Sequence, residues 1–145
     1  MSETPDPIRQ TLDAYRAAVL ARDVDAFVAL YAPELEVFDT WQTATLRGLP
    51  AWRDMATAWF ASLGDGERVI VDARDIVSAV SGDLASGHAL LTFTAMSPTG
   101  ERLRWLSNRI TLTMRRDATG WKVIHEHTSA PIDHVSGKAV LQFDD

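Results

Sequence analysis

The run Arg109-Ile110-Thr111-Leu112-Thr113-Met114-Arg115-Arg116-Asp117-Ala118-Thr119-Gly120-Trp121-Lys122-Val123-Ile124-His125-Glu126-His127-Thr128-Ser129 decides the fold class. Two stretches rich in Ile, Val, Leu and Thr flank Asp117-Ala118-Thr119-Gly120. The flanks have the composition and alternation of strands, and the centre carries turn residues, so the run reads as an antiparallel hairpin. Toward the N-terminus, 83–96 and 67–80 have the same character and are set off by Ser97-Pro98-Thr99-Gly100 and Ser81-Gly82. With 101–116 and 120–129 they make a four-strand antiparallel meander.

Ahead of the meander the period is helical. Asp6-Pro7 pairs a capping side chain with a proline suited to a first turn, and Ile8, Leu12, Tyr15 and Val19 then recur as one apolar stripe. Asp23 restarts the pattern through Val24, Phe27, Leu30 and Tyr31, and Pro33 ends it. Glu34-Leu35-Glu36-Val37 alternates as a short strand into Phe38-Asp39. Pro50 opens a third helix with Trp52, Met55, Trp59, Phe60 and Leu63 on its inner face, and Gly64 is placed as a left-handed cap. Helices segregated ahead of a sheet predict an α+β domain spanning 1–145, with a core of about 8–131 and a tail over 132–145. Within the tail, Ala139-Val140-Leu141-Gln142-Phe143 alternates and suits either an extra edge strand or pairing with a neighbouring subunit.

Composition narrows the function classes. The chain has 145 residues, 46% hydrophobic and 23% charged, with a net charge of −6. An acidic balance argues against nucleic acid as a partner. No cysteine is present, which removes disulfides and thiolate metal sites and fits a reducing, cytoplasmic setting. The N-terminus is acidic and polar, unlike a signal peptide, and no apolar run is long enough to span a bilayer, so no membrane partner is expected.

Strand pairing assigns faces, because directly opposed residues point to the same side of a sheet. Four-residue loops at 97–100 and 117–120 place His88 opposite Arg109, Arg109 opposite Thr128, and Thr111 opposite Glu126. One face then collects His88, Trp105, Arg109, Thr111, Glu126 and Thr128, and reads as a pocket. The other collects Leu106, Ile110, Leu112, Met114, Trp121, Val123, His125 and His127. It reads as an apolar surface for a second subunit. A one-residue slip in the last turn exchanges Glu126 for His125 and His127.

The closing run Gly120–Pro131, preceded by Arg109-Ile110-Thr111-Leu112, resembles the C-terminal signature of SnoaL-like proteins. These are relatives of ketosteroid isomerase in the nuclear-transport-factor-2-like superfamily. Tyr15, the segment Asp23–Ala32, Glu36-Val37-Phe38-Asp39 and Gly48 extend the resemblance over about 8–131. It implies a cone-shaped α+β barrel, in which a curved sheet is closed by three N-terminal helices, with homodimers formed through the outer sheet face. It also implies a pocket for a small apolar or carboxylate-bearing molecule. The activities it suggests are those of an isomerase or cyclase working on an apolar carbonyl compound, or simply binding or dimerisation without catalysis.

By the same resemblance Asp39 stands at the position of the catalytic base, where an apolar pocket raises a carboxylate toward working pH. Its alternative is a turn Asp holding backbone N–H groups. Tyr15 matches the oxyanion-stabilising tyrosine, or else packs in the core. The family's second oxyanion donor, a carboxylic acid on the third long strand, has no acidic counterpart here; Leu112 and Thr113 are nearest. Arg109 either pairs with Glu126 structurally or anchors a ligand carboxylate, and His88 can join either arrangement. His125-Glu126-His127 has the look of a metal motif without a third ligand, and histidines at a subunit interface are the simpler reading. Trp41, Trp52, Met55, Trp59 and Trp105 supply core or pocket wall. No cofactor and no metal are expected.

Overall fold

The structure, a computed structural model, describes residues 5–143. Helix α1 runs Pro7–Ala21, with the Asp6 carboxylate accepting from the amides of Ile8 and Arg9. Its stripe of Ile8, Leu12, Tyr15 and Val19 is buried against the sheet. Arg22 ends the helix in a left-handed conformation, φ 55°. From there its guanidinium donates to the carbonyls of Phe60 (2.7 Å), Leu63 (3.4 Å) and Gly64 (3.1 Å). One side chain thus satisfies the open end of helix α3, Leu49–Ala61. The cap expected at Gly64 is not left-handed; Ser62 closes α3 in a right-handed turn and the positive φ falls on Gly66.

Between these helices lies α2, Val24–Val28, capped by Asp23. It is shorter than the periodicity suggests, because strand β1 already begins at Tyr31 and runs to Phe38. Pro33 is tolerated inside that strand because the pairing with its neighbour shifts register between Tyr31 and Glu36, where no ladder N–H is required.

The remaining strands are β2 (Leu46–Arg47), β3 (Arg68–Ser81), β4 (Leu84–Met96), β5 (Arg102–Asp117) and β6 (Gly120–Ser129). Their order in one curved, open sheet is β2-β1-β6-β5-β4-β3. The β3–β6 meander is antiparallel as expected, but β1 joins it in parallel to β6, so the sheet is mixed. Irregularities at Arg74/Val77, Ala95/Met96 and Thr113/Met114 bend the long strands.

The last of these irregularities decides which residues face inward. The Asp117–Gly120 turn has the expected register, with Arg116 opposite Trp121 and Met114 opposite Val123. Beyond it Thr113 pairs with His125, so Ile124 is an extra, unpaired residue on β6. Every later residue of β6 thereby changes partners by one. Glu126 now faces Leu112 and Thr128 faces Ile110. In the preceding hairpin the shift is two residues, which preserves the face, and His88 sits opposite Thr111 instead of Arg109.

The apolar set Ile110, Leu112, Met114 and Val123 is therefore the core under the helices, and not an outer dimer surface. His88, Arg109 and Thr111 lie on the outer face with His127, and all four are exposed. Val77 and Leu84 are exposed apolar residues on the same face. The tail turns back within the chain: Ser107 N donates to Leu141 O at 2.6 Å, and Gln142 Nε2 to Trp105 O at 3.0 Å. It occupies the β5 edge that β6 leaves free.

Candidate ligand cavity and its acid–base groups

A cavity of about 480 Å³ opens between α3 and the inner face of the sheet. Tyr15, Asp39, Trp41, Trp52, Met55, Trp59, Trp105 and Glu126 of the sequence-predicted set line it. His88, Arg109, His125 and His127 do not. Arg109 is exposed and donates to Ser129 Oγ at 3.1 Å; it does not pair with Glu126 and stands outside the cavity, where a ligand anchor was expected. His125 and His127 flank the Phe38 ring, at 4.8 and 5.5 Å between centroids, and His125 Nδ1 meets Glu36 O at 2.8 Å. Among the described residues no cluster of His, Asp or Glu is placed to hold a metal.

The wall is aromatic because α1, α2 and α3 aim their stripes at one another. Phe27 sits at the centre, 5.1 Å from Tyr15, 5.9 Å from Trp52 and 6.2 Å from Trp59. Phe93 closes the far side against Tyr15 and Trp59. Trp41 lies at the mouth, 43% exposed. Arg104, also at the rim, is held by Glu67 at 2.9 Å.

Three protonatable groups stand in this setting. Asp39 follows directly on β1 and takes a hydrogen bond from Thr128 Oγ1 at 3.0 Å. Thr128 Oγ1 in turn accepts from the amide and the hydroxyl of Thr40, each at 2.9 Å. This arrangement directs its one proton to Asp39 and fixes the carboxylate's orientation. Burial raises the Asp39 carboxyl above its ordinary value, against the opposing pull of Thr128 and the Thr40 amide. Glu126, 1% exposed, lies deeper and accepts from the Tyr31 hydroxyl at 2.7 Å. Burial pushes its carboxyl up to about 7; Tyr31 opposes the rise and the Asp39 charge adds to it. Tyr15 is buried, and burial with the nearby Glu126 and Asp39 charges holds its phenol well above the ordinary range, so it remains a proton donor. No described residue hydrogen-bonds the Tyr15 hydroxyl, and it is not sealed off.

Asn108, Thr128, Leu106 and Phe93 also line the cavity, and Tyr31 supports it from behind. Asn108 was detectable in principle, as a polar residue interrupting the apolar face of Leu106, Ile110, Leu112 and Met114. Tyr31 was hidden by the helical pattern that runs into it.

A profile of the SnoaL-like domain matches residues 8–133. The chain belongs to the SnoaL-like family. The SnoaL-like fold is shared with a protein of unknown function from Pseudomonas putida KT2440 that is NTF2-like, at TM-score 0.82 and 28% identity. That match covers 95% of this chain and 94% of the other. A provisionally named aromatic ring hydroxylase from Novosphingobium aromaticivorans aligns at TM-score 0.70 and 21% identity, over 88% and 91% of the two chains. A provisionally named dehydratase of the NTF2-like family from Streptomyces avermitilis aligns at 0.69 and 16%, over 88% and 95%. At these identities the last two likenesses establish the fold alone. Comparison with curated proteins gives no match. No described helix is long and apolar enough to cross a membrane.

Proposed function

We propose that the SnoaL-like cavity binds a flat, largely apolar carbonyl compound and moves a proton on it, as an isomerase or cyclase does. The observation that carries this reading is the convergence of Asp39, Tyr15 and Glu126 on one aromatic cavity. Asp39 is held as a carboxylate by Thr128 and is the base. It takes a proton from the carbon beside the carbonyl, and the electron pair passes to the carbonyl oxygen. Tyr15 donates to that oxygen as its charge grows, and the enolate is reprotonated by Asp39 at a second carbon. Glu126, neutral below about pH 7, supplies from β6 the carboxylic acid that β5 lacks. A volume of about 480 Å³ suits a two- to three-ring compound.

A second reading, binding without turnover, is favoured by the Thr40–Thr128–Asp39 network, which also satisfies a turn. Hydrogen exchange separates the two. In heavy water the protein is expected to catalyse deuterium uptake at the carbon beside the carbonyl of α-tetralone. Asp39→Asn should lower that rate by about 10²–10⁴-fold with little change in affinity. Binding with no exchange above the solvent rate supports the binding-only reading. A homodimer through the outer face remains a proposal resting on Val77, Leu84 and the polar residues around His88 and His127, and native mass spectrometry tests it.

A further inference from the structure

Two buried side-chain polar atoms among the described residues have no hydrogen-bond partner, Trp52 Nε1 and Asn108 Oδ1. Both residues line the cavity. The Trp52 indole is in edge contact with the Tyr31 ring, centroids 5.5 Å apart, and the Tyr31 oxygen lies close enough to feel its N–H. Asn108 has no such compensation. It is 6% exposed, on the inner face of β5, between Leu106 and Ile110 and opposite Leu91. Burying an acceptor without a donor costs stability, so such an orphan calls for an explanation, and a polar group on a ligand supplies one. A leucine would continue the apolar face of β5 without that cost.

The location of Asn108 adds to the argument. Ile110 pairs with Thr128, the residue that fixes Asp39, and Asn108 is the next inward-facing residue along β5. A ligand seated against Asp39 therefore reaches Asn108. The Asn108 amide can turn about its terminal bond to present oxygen or nitrogen to the cavity. A ketone whose oxygen is held by Tyr15 gives it no partner, while an added hydroxyl, which both donates and accepts, pairs with it.

We propose that Asn108 is a specificity residue whose carboxamide hydrogen-bonds a ligand hydroxyl, so that the cavity selects hydroxylated flat carbonyl compounds over their unsubstituted counterparts. This rests on the reading of the cavity as a site for a flat carbonyl compound, and it adds the second functional group. A site built to pair with a hydroxyl discriminates against the analogue lacking it, because the Asn108 carboxamide then stays buried without a partner.

The test compares α-tetralone with the analogue carrying a hydroxyl on its aromatic ring, followed by quenching of the tryptophan fluorescence. The natural protein is expected to bind the hydroxylated compound at least about tenfold more tightly. In Asn108→Leu the ratio should fall to about one, and the melting temperature should be no lower than that of the natural protein. Should Asn108→Leu not fold, Asn108→Ala carries the same expectation for the ratio. Equal affinities in the natural protein, or a preference that survives in the Asn108 variants, overturn the proposal. Binding of both compounds without preference overturns it alone, whereas binding of neither overturns the carbonyl-compound reading as well.

Discussion

Replacing Glu126 by glutamine alters the charge of one group and little of its shape, and its effect on stability should depend on pH. Glu126 is enclosed by protein, and its carboxyl lies at about 7 against an ordinary 4.5. A raised carboxyl favours the folded state while that state keeps a proton the unfolded chain has lost. The contribution is complete below about pH 4.5, declines by about 1.4 kcal/mol per pH unit, and is gone above about pH 7. The difference between the two limits is about 3 kcal/mol. The glutamine side chain of Glu126→Gln has no such proton to lose and still accepts from the Tyr31 hydroxyl. Urea unfolding followed by tryptophan fluorescence, repeated across this range, measures the difference in stability between the two proteins. That difference should move by about 3 kcal/mol in favour of the variant between acid and mildly alkaline pH. A difference constant with pH refutes the claim that Glu126 is held neutral in the fold. Subtracting the two curves removes the pH dependence of the surface carboxylates.

Two further substitutions probe the frame. A Cβ at Gly87 would lie 2.6 Å from Ile8 Cγ2 and 2.8 Å from the Val77 carbonyl oxygen, so Gly87→Ala should cost about 1–3 kcal/mol by separating α1 from the sheet, measured by urea unfolding. Arg109→Ala removes an exposed side chain whose one hydrogen bond goes to an uncharged hydroxyl, and should change stability by less than about 1 kcal/mol and leave binding of α-tetralone unaltered. A loss of several kcal/mol there would show that Arg109 has a buried charge partner after all.

Much of the fold was legible because turn chemistry and periodicity act locally. Ser81-Gly82 and Asp117–Gly120 mark their hairpins, and the α1 stripe of Ile8, Leu12, Tyr15 and Val19 packs as its spacing requires. The resemblance to SnoaL-like proteins directed attention to Asp39 and Tyr15, and both border the cavity. The faces of the sheet were harder to assign. A bulge at Ile124 leaves no compositional mark, since Val123-Ile124-His125 reads equally well as regular strand, yet it moves Glu126 inward and leaves Arg109 outside. The parallel pairing of β1 with β6 joins segments almost ninety residues apart, beyond the reach of any local pattern. Tyr31 and Asn108 were missed for a related reason: Tyr31 matters through its contact with Glu126 and Asn108 through its place in the cavity wall, and both are set by residues distant in sequence.

The pH profile of α-tetralone hydrogen exchange tests the central claim most directly. Catalysis through Asp39 with Glu126 as a neutral donor predicts a rate that rises as Asp39 ionises, above its ordinary carboxylate range, and falls again above about pH 7 as Glu126 loses its proton. Glu126→Gln should remove the alkaline fall, and Asp39→Asn should remove the catalysed rate throughout. A rate that climbs steadily with pH and is the same in the natural protein and in Asp39→Asn would contradict the account, because solvent hydroxide would then be the base.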